Sequence, residues 1–154
     1  MQQETFDKLV KIKKLIPKIN CGGCAIMMYA LYKHLEATNQ LAGDEKFIYL
    51  YGLWDTTIYK TNLKYIENNN KGKVGSCTHA VLFHNGCYYN AGGEYHREFP
   101  YLMDISVENK QFVIESILSD TWNRDFDRNE YIPLIEKEFK VNLNEIRRDN
   151  YYEP

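Results

Sequence analysis

The sequence predicts a single α+β domain over residues 1–154, in which a central helix near the N-terminus packs on a small antiparallel sheet and further helices flank it. Three observations predict it. Cys24, Met28, Leu31 and Leu35 recur at i, i+4, i+7 and i+11, the spacing of one buried helical face. Asn85-Gly86 stands between two short apolar runs, the strongest short-range signal for a two-residue hairpin turn. Two later stretches, within 103–118 and 129–139, return to helical spacing.

The elements follow in order. Phe6 to Ile16 reads as a first helix, with Phe6, Leu9, Val10, Lys13 and Ile16 as its stripe, and Pro17 ends it. Its lysines, Lys8, Lys11, Lys13, Lys14 and Lys18, read as a solvated face. Cys24 to Glu36 is the central helix, with Met27 and Met28 as core filler. Lys46 to Tyr51 is a strand apolar on both faces, hence internal. Asp55 fits the N-cap of a helix built on Tyr59, Leu63 and Ile66, and the polar stretch Asn68 to Gly75 reads as a loop. The hairpin pairs residues 78–83 with 87–91, and Gly92-Gly93 closes the return strand. Met103 to Leu118 holds a helix around Phe112, Val113 and Ile117. Asn129 to Phe139 holds another, with Pro133 tolerable only in a first turn. Arg147 to Pro154 is expected to fray. The core is thus placed at about 20–93, with a helical C-terminal part at 103–146.

Composition narrows the function. Hydrophobic residues make up 44% and charged residues 26%, ordinary for a globular protein. A net charge of −2 gives no global attraction to nucleic acid. No apolar run is long enough to span a bilayer and no signal-peptide pattern is present, so a cytoplasmic protein with reduced thiols is expected.

The chemistry resides in a cysteine, a histidine and an amide, in that order. Cys24 opens the central helix, where partial positive charge and free backbone N–H groups favour a thiolate. Counting outward from Asn85-Gly86, His84 pairs with Cys87, Phe83 with Tyr88, Val81 with Asn90 and His79 with Gly92. With period-two alternation, His79, Val81, Tyr88 and Asn90 share one face, and His79 and Asn90 become diagonal neighbours. Cys24 is then the nucleophile, His79 the general base and later acid, and Asn90 the group that orients the imidazole. The Cys24 backbone N–H is one oxyanion donor and the Asn20 side chain a candidate for the second. His84 and Cys87 point the other way at the hairpin tip, and His34 and His96 read as surface or capping histidines.

Cys21-Gly22-Gly23-Cys24-Ala25 resembles the nucleophile segment of papain-like cysteine proteases, in which the second cysteine attacks and the first is structural. Ala25 stands where an aromatic residue usually follows, and Lys18 where a glutamine usually precedes. Gly23-Cys24 at a helix start, His79-Ala80 on a strand and a polar residue after the hairpin resemble more closely the transglutaminase-like branch of that superfamily. There the order is Cys, His, Asp; here Asn90 takes the third place and the hairpin is shorter. The spacing is also similar to compact bacterial cell-wall peptidases, without their Asp-Cys-Ser opening. The resemblance covers roughly residues 20–93. It implies a papain-like fold and a cysteine hydrolase, peptidase or transglutaminase-like acyltransferase acting on a protein or peptide, with no cofactor.

Other readings use the same residues. Cys21, Cys24, Cys77 and Cys87 would make a four-cysteine zinc site in a binding module, although Cys77 and Cys87 are ten apart rather than a tight pair. A thioredoxin-like exchanger would need a strand before Cys-x-x-Cys, where a Lys-rich helix and Pro17 stand instead. A non-catalytic domain would keep the fold and bury all four thiols.

Overall fold

The computed structural model describes residues 1–20, 23–51, 79–96, 101–118 and 128–147. Four α-helices and a five-stranded antiparallel sheet are formed by these residues. The helices are α1 (Gln3–Leu15), α2 (Cys24–Ala37), α3 (Lys110–Leu118) and α4 (Arg128–Phe139). The strands are β1 (Lys46–Tyr51), β2 (His79–His84), β3 (Cys87–Asn90), β4 (Gly93–Glu94) and β5 (Tyr101–Ser106). Sheet order is β4-β3-β2-β1-β5. No helix among the described residues is long and apolar enough to cross a membrane. The expected helix after Asp55 and the loop at 68–75 lie outside the described residues.

β1 is internal, as its two apolar faces require, with β2 on one side and β5 on the other. Its alternation divides the core. Phe47 and Tyr49 join Ala80, Leu82, Tyr89 and Ile105 against the helices. Ile48 and Leu50 join Val81 on the opposite face, where Phe83, Tyr88 and Tyr95 pack over them. Tyr49 crosses the helix-side core to donate from its hydroxyl to Ser116 Oγ at 2.9 Å, and Ser116 donates on to Val113 C=O.

α2 departs from the expected stripe. Tyr29, Ala30 and Tyr32 are buried along with Cys24, Met28, Leu31 and Leu35. A helix apolar nearly all round is a core helix, and α2 has the sheet on one side and α3 and α4 on others. His34, expected at the surface, is buried with it. Its Nδ1–H donates to Phe139 C=O at 2.8 Å and its Nε2 faces Thr5 Oγ1 at 3.2 Å, joining α2 to α4 and α1. Tyr29 and Lys33 both bond Glu145, holding the 3₁₀ turn Asn144–Ile146 to α2.

Three further expectations change. The stretch at 103–146 begins with strand rather than helix: in β5 Met103 and Ile105 turn toward the helices while Leu102 and Asp104 are turned outward. Pro133 lies beyond the first turn of α4; its side chain is exposed, so water can reach the backbone whose hydrogen bond the ring removes. Arg147, expected to fray, bonds Glu136 and Asn144.

Candidate active site

The hairpin forms as its turn chemistry requires. Asn85 and Gly86 have φ of 48° and 80°, the pair of positive values that a type I′ turn needs. His84 pairs with Cys87, Phe83 with Tyr88 and Leu82 with Tyr89. The ladder ends there. β3 stops at Asn90, which pairs with Gly93 across a two-residue turn, so the expected Val81–Asn90 and His79–Gly92 pairings are both replaced by a bend into β4. Asn90 still meets His79: its Nδ2 donates to His79 Nε2 at 3.1 Å. An amide at this position reads both states of the ring. With Nδ2 forward it donates to a bare Nε2, and rotated by 180° its Oδ1 accepts from Nε2–H. His79 is 8% exposed, and the Tyr95 ring packs against its imidazole with centroids 5.1 Å apart. Tyr95 was not anticipated from the sequence; an aromatic residue just beyond a Gly-Gly turn carries no spacing signal toward a histidine sixteen positions earlier.

Cys24 is the first residue of α2 and is 4% exposed. Gly23 is the N-cap and supplies no side chain, and the first turn holds no acidic residue. The positive end of the helix is therefore not neutralised by an acidic side chain in its first turn, while Cys24 itself is buried in the apolar helix-side core. The approach is ordered: Gly23 N–H donates to Ile19 C=O at 2.8 Å. Asn20 Oδ1 is buried and accepts no hydrogen bond from the described residues. That end of the amide is an acceptor, so the donor role expected of Asn20 requires its Nδ2 to be turned there.

The structure joins His79 to Asn90 and sets Cys24 at the leading end of the helix packed on β2. It also divides them by face. Cys24 belongs to the helix-side core with Ala80 and Leu82, whereas His79 pairs with Leu50 and stands with Val81 and Tyr95 on the other side. His79 is the first residue of β2, so its ring stands at the end of the strand, not midway along it.

Cys87 stands at the hairpin turn, half-buried and distant in role from Cys24. A hydrogen bond to Glu94, with burial and the Glu94 charge, holds its thiol above the ordinary range, which disfavours the thiolate. Cys21 and Cys77, the other two members of the alternative zinc set, lie outside the described residues. Among the described residues, Asp44, Glu45 and His84 bring ligand-type atoms together. Their oxygens are already engaged. Asp44 accepts from Asn85 N–H and Gly86 N–H, and Glu45 from Ala42 N–H, Gly43 N–H and His84. The cluster is a hydrogen-bonded latch on the hairpin tip. His84 is 1% exposed within it, a burial that its position beside Asn85-Gly86 does not announce.

With this geometry in hand, comparison with known proteins finds no matching family model, no matching curated protein and no matching solved structure.

Proposed function

We propose that the protein is a cysteine-dependent acyl-transfer enzyme on a papain-like scaffold, a peptide or thioester hydrolase or a transglutaminase-like acyltransferase. The observation that carries this reading is the 3.1 Å bond from Asn90 to His79, two residues that strand alternation puts on one face and whose types suit base and orienter. In this reading Asn90 turns its Oδ1 to accept from His79 Nε2–H, which leaves Nδ1 bare to take the Cys24 thiol proton, and the thiolate sulfur attacks the carbonyl carbon of a protein or peptide substrate. The tetrahedral oxyanion is met by the N–H groups at the start of α2 and by Asn20. It collapses to a thioester as His79 returns the proton to the leaving amine or thiol. Water, or an amine, then attacks the thioester with His79 again as base, releasing acid or a new amide and restoring the thiol.

One observation favours a second reading, a non-catalytic domain. Cys24 lies on the helix side of the sheet and His79 on the other. Residue-resolved alkylation of the native protein from about pH 5 to 9 separates the two, since an ordinary thiol titrates near about 8.5. A catalytic pair gives fast Cys24 labelling that persists at acid pH and depends on His79. Slow Cys24 labelling that follows an ordinary thiol titration, unchanged in His79→Ala, overturns the enzymatic reading. Protection of all four cysteines that a chelator abolishes identifies the zinc module instead.

A further inference from the structure

We infer that helix α1 is the positioning element for the His79–Asn90 pair, acting through Phe6, Leu9 and Lys13 on the turn that follows Asn90. The inference rests on the reading of that pair as the working base and its orienter. β2 does not hold Asn90 by backbone pairing, because the β2–β3 ladder ends at Leu82–Tyr89, one residue earlier. What places the Asn90 backbone is its pairing with Gly93 across Ala91-Gly92. That turn is in turn pressed onto α1. Gly92 N–H donates to Leu9 C=O at 2.9 Å, a second bond to a carbonyl in the middle of the helix. A Cβ on Gly92 would lie 3.5 Å from the Lys13 side chain. A Cβ on Gly93 would lie 2.8 Å from the tip of the Phe6 ring, closer than such atoms approach, so the ring rests directly on the glycine backbone. Gly93 also has φ of +125°, which other residues rarely adopt.

α1 is itself anchored from behind. Lys11 pairs with the Glu138 carboxylate at 3.0 Å, Lys8 donates to Glu138 C=O at 3.0 Å, and Thr5 faces the buried His34. Contacts therefore run without a break from α4 through α1 and the Gly92-Gly93 turn to Asn90 and then His79. Movement of the turn by a fraction of an ångström changes the amide's approach to Nε2, and hydrogen bonds weaken steeply with misalignment. Phe6 is a positioning residue here, acting through its contact with Gly93.

The test is histidine-side-chain NMR of the full chain, reading the ¹⁵N shifts and titration of the His79 ring in wild type, Asn90→Ala, Phe6→Ala and the milder Phe6→Leu. His34 and His84 report the integrity of the rest of the fold. Phe6→Ala is expected to move the His79 ring at least half as far as Asn90→Ala does, and Phe6→Leu less, with His34 and His84 unchanged. A His79 ring identical to wild type in both Phe6 variants, while Asn90→Ala shifts it, overturns the role of α1 and leaves the catalytic reading standing. An unmoved His79 in Asn90→Ala overturns the pair itself. Should Phe6→Ala not fold, Phe6→Leu decides on the same criteria.

Discussion

His84 and Glu45, 39 residues apart in the chain, meet in the buried latch at the tip of the hairpin, where His84 Nδ1–H donates to Glu45 Oε2 at 2.5 Å. The neighbouring Asp44 holds the two backbone N–H groups of the turn itself, Asn85 at 2.8 Å and Gly86 at 3.0 Å. Two consecutive carboxylates thus fasten one end of the hairpin, and α1 presses on the other.

This latch makes the fold acid-sensitive. Burial pushes the Glu45 carboxyl up, but the hydrogen bonds from Ala42, His84 and Gly43 outweigh it and hold it below its usual value. The Asn85 N–H, more than any burial, does the same for Asp44. A carboxylate held low in the folded state stabilises fully above its unfolded pKa of about 4 and loses that contribution as pH falls through the lower folded value. Urea unfolding is expected to show falling stability below about pH 4.5. Glu45→Gln lowers stability at pH 7 by about 1–3 kcal/mol, since it turns one acceptor oxygen facing the Ala42, Gly43 and His84 N–H donors into an NH2 group, and it flattens the acid slope. An acid slope identical to wild type in Glu45→Gln would contradict this.

The two glycine positions of the hairpin separate backbone strain from contact. Gly86→Ala meets open space, so its cost is that of a positive φ alone, about 1–2 kcal/mol. Gly93→Ala meets the Phe6 ring as well and is expected to cost more. Urea midpoints at constant m-value measure both; equal costs would show that Phe6 yields freely.

His34 is expected to be structural. His34→Leu leaves Phe139 C=O without its donor in the core, a loss of about 1–3 kcal/mol. The readout is stability, with Cys24 alkylation unchanged. A large change in alkylation with unchanged stability would move His34 into the site.

Side-chain deletions in the proposed machinery have graded effects. With a generic thioester as substrate, His79→Ala removes the general base and is expected to lower turnover by about 10²–10⁴. Asn90→Ala removes one hydrogen bond, about 0.5–1.5 kcal/mol, hence up to about tenfold. Cys24→Ala abolishes turnover and keeps the native circular dichroism spectrum. An Asn90→Ala loss as large as that of His79→Ala would mean that the amide does more than orient.

Much of this was written locally. The α2 spacing of Cys24, Met28, Leu31 and Leu35 and the Asn85-Gly86 turn each depend on neighbours within one element, and both elements formed where expected. β5 was legible too, in the alternation of Met103 and Ile105 with Asp104 between them, but the helical spacing just downstream absorbed it. Pro133 shows the opposite limit: intrinsic preference argued against a proline past the first turn, yet the helix tolerates it on its exposed face.

The sequence by itself determined the α+β class, the helix that begins at Cys24, the Asn85-Gly86 turn, and the alternation that puts His79 and Asn90, eleven residues apart, on one face. These depend on dihedral preference and on periods of two and 3.6, which are short-range properties. Only the tertiary structure decided that His34 is a buried link to Phe139, 105 residues distant, that Glu45 latches His84, and that Phe6 rests on Gly93. It also decided which side of the sheet α2 covers, and so on which face Cys24 and His79 each lie. Such meetings follow from how whole elements pack to bury their apolar faces, and no spacing along the chain encodes the partner of a side chain across the core.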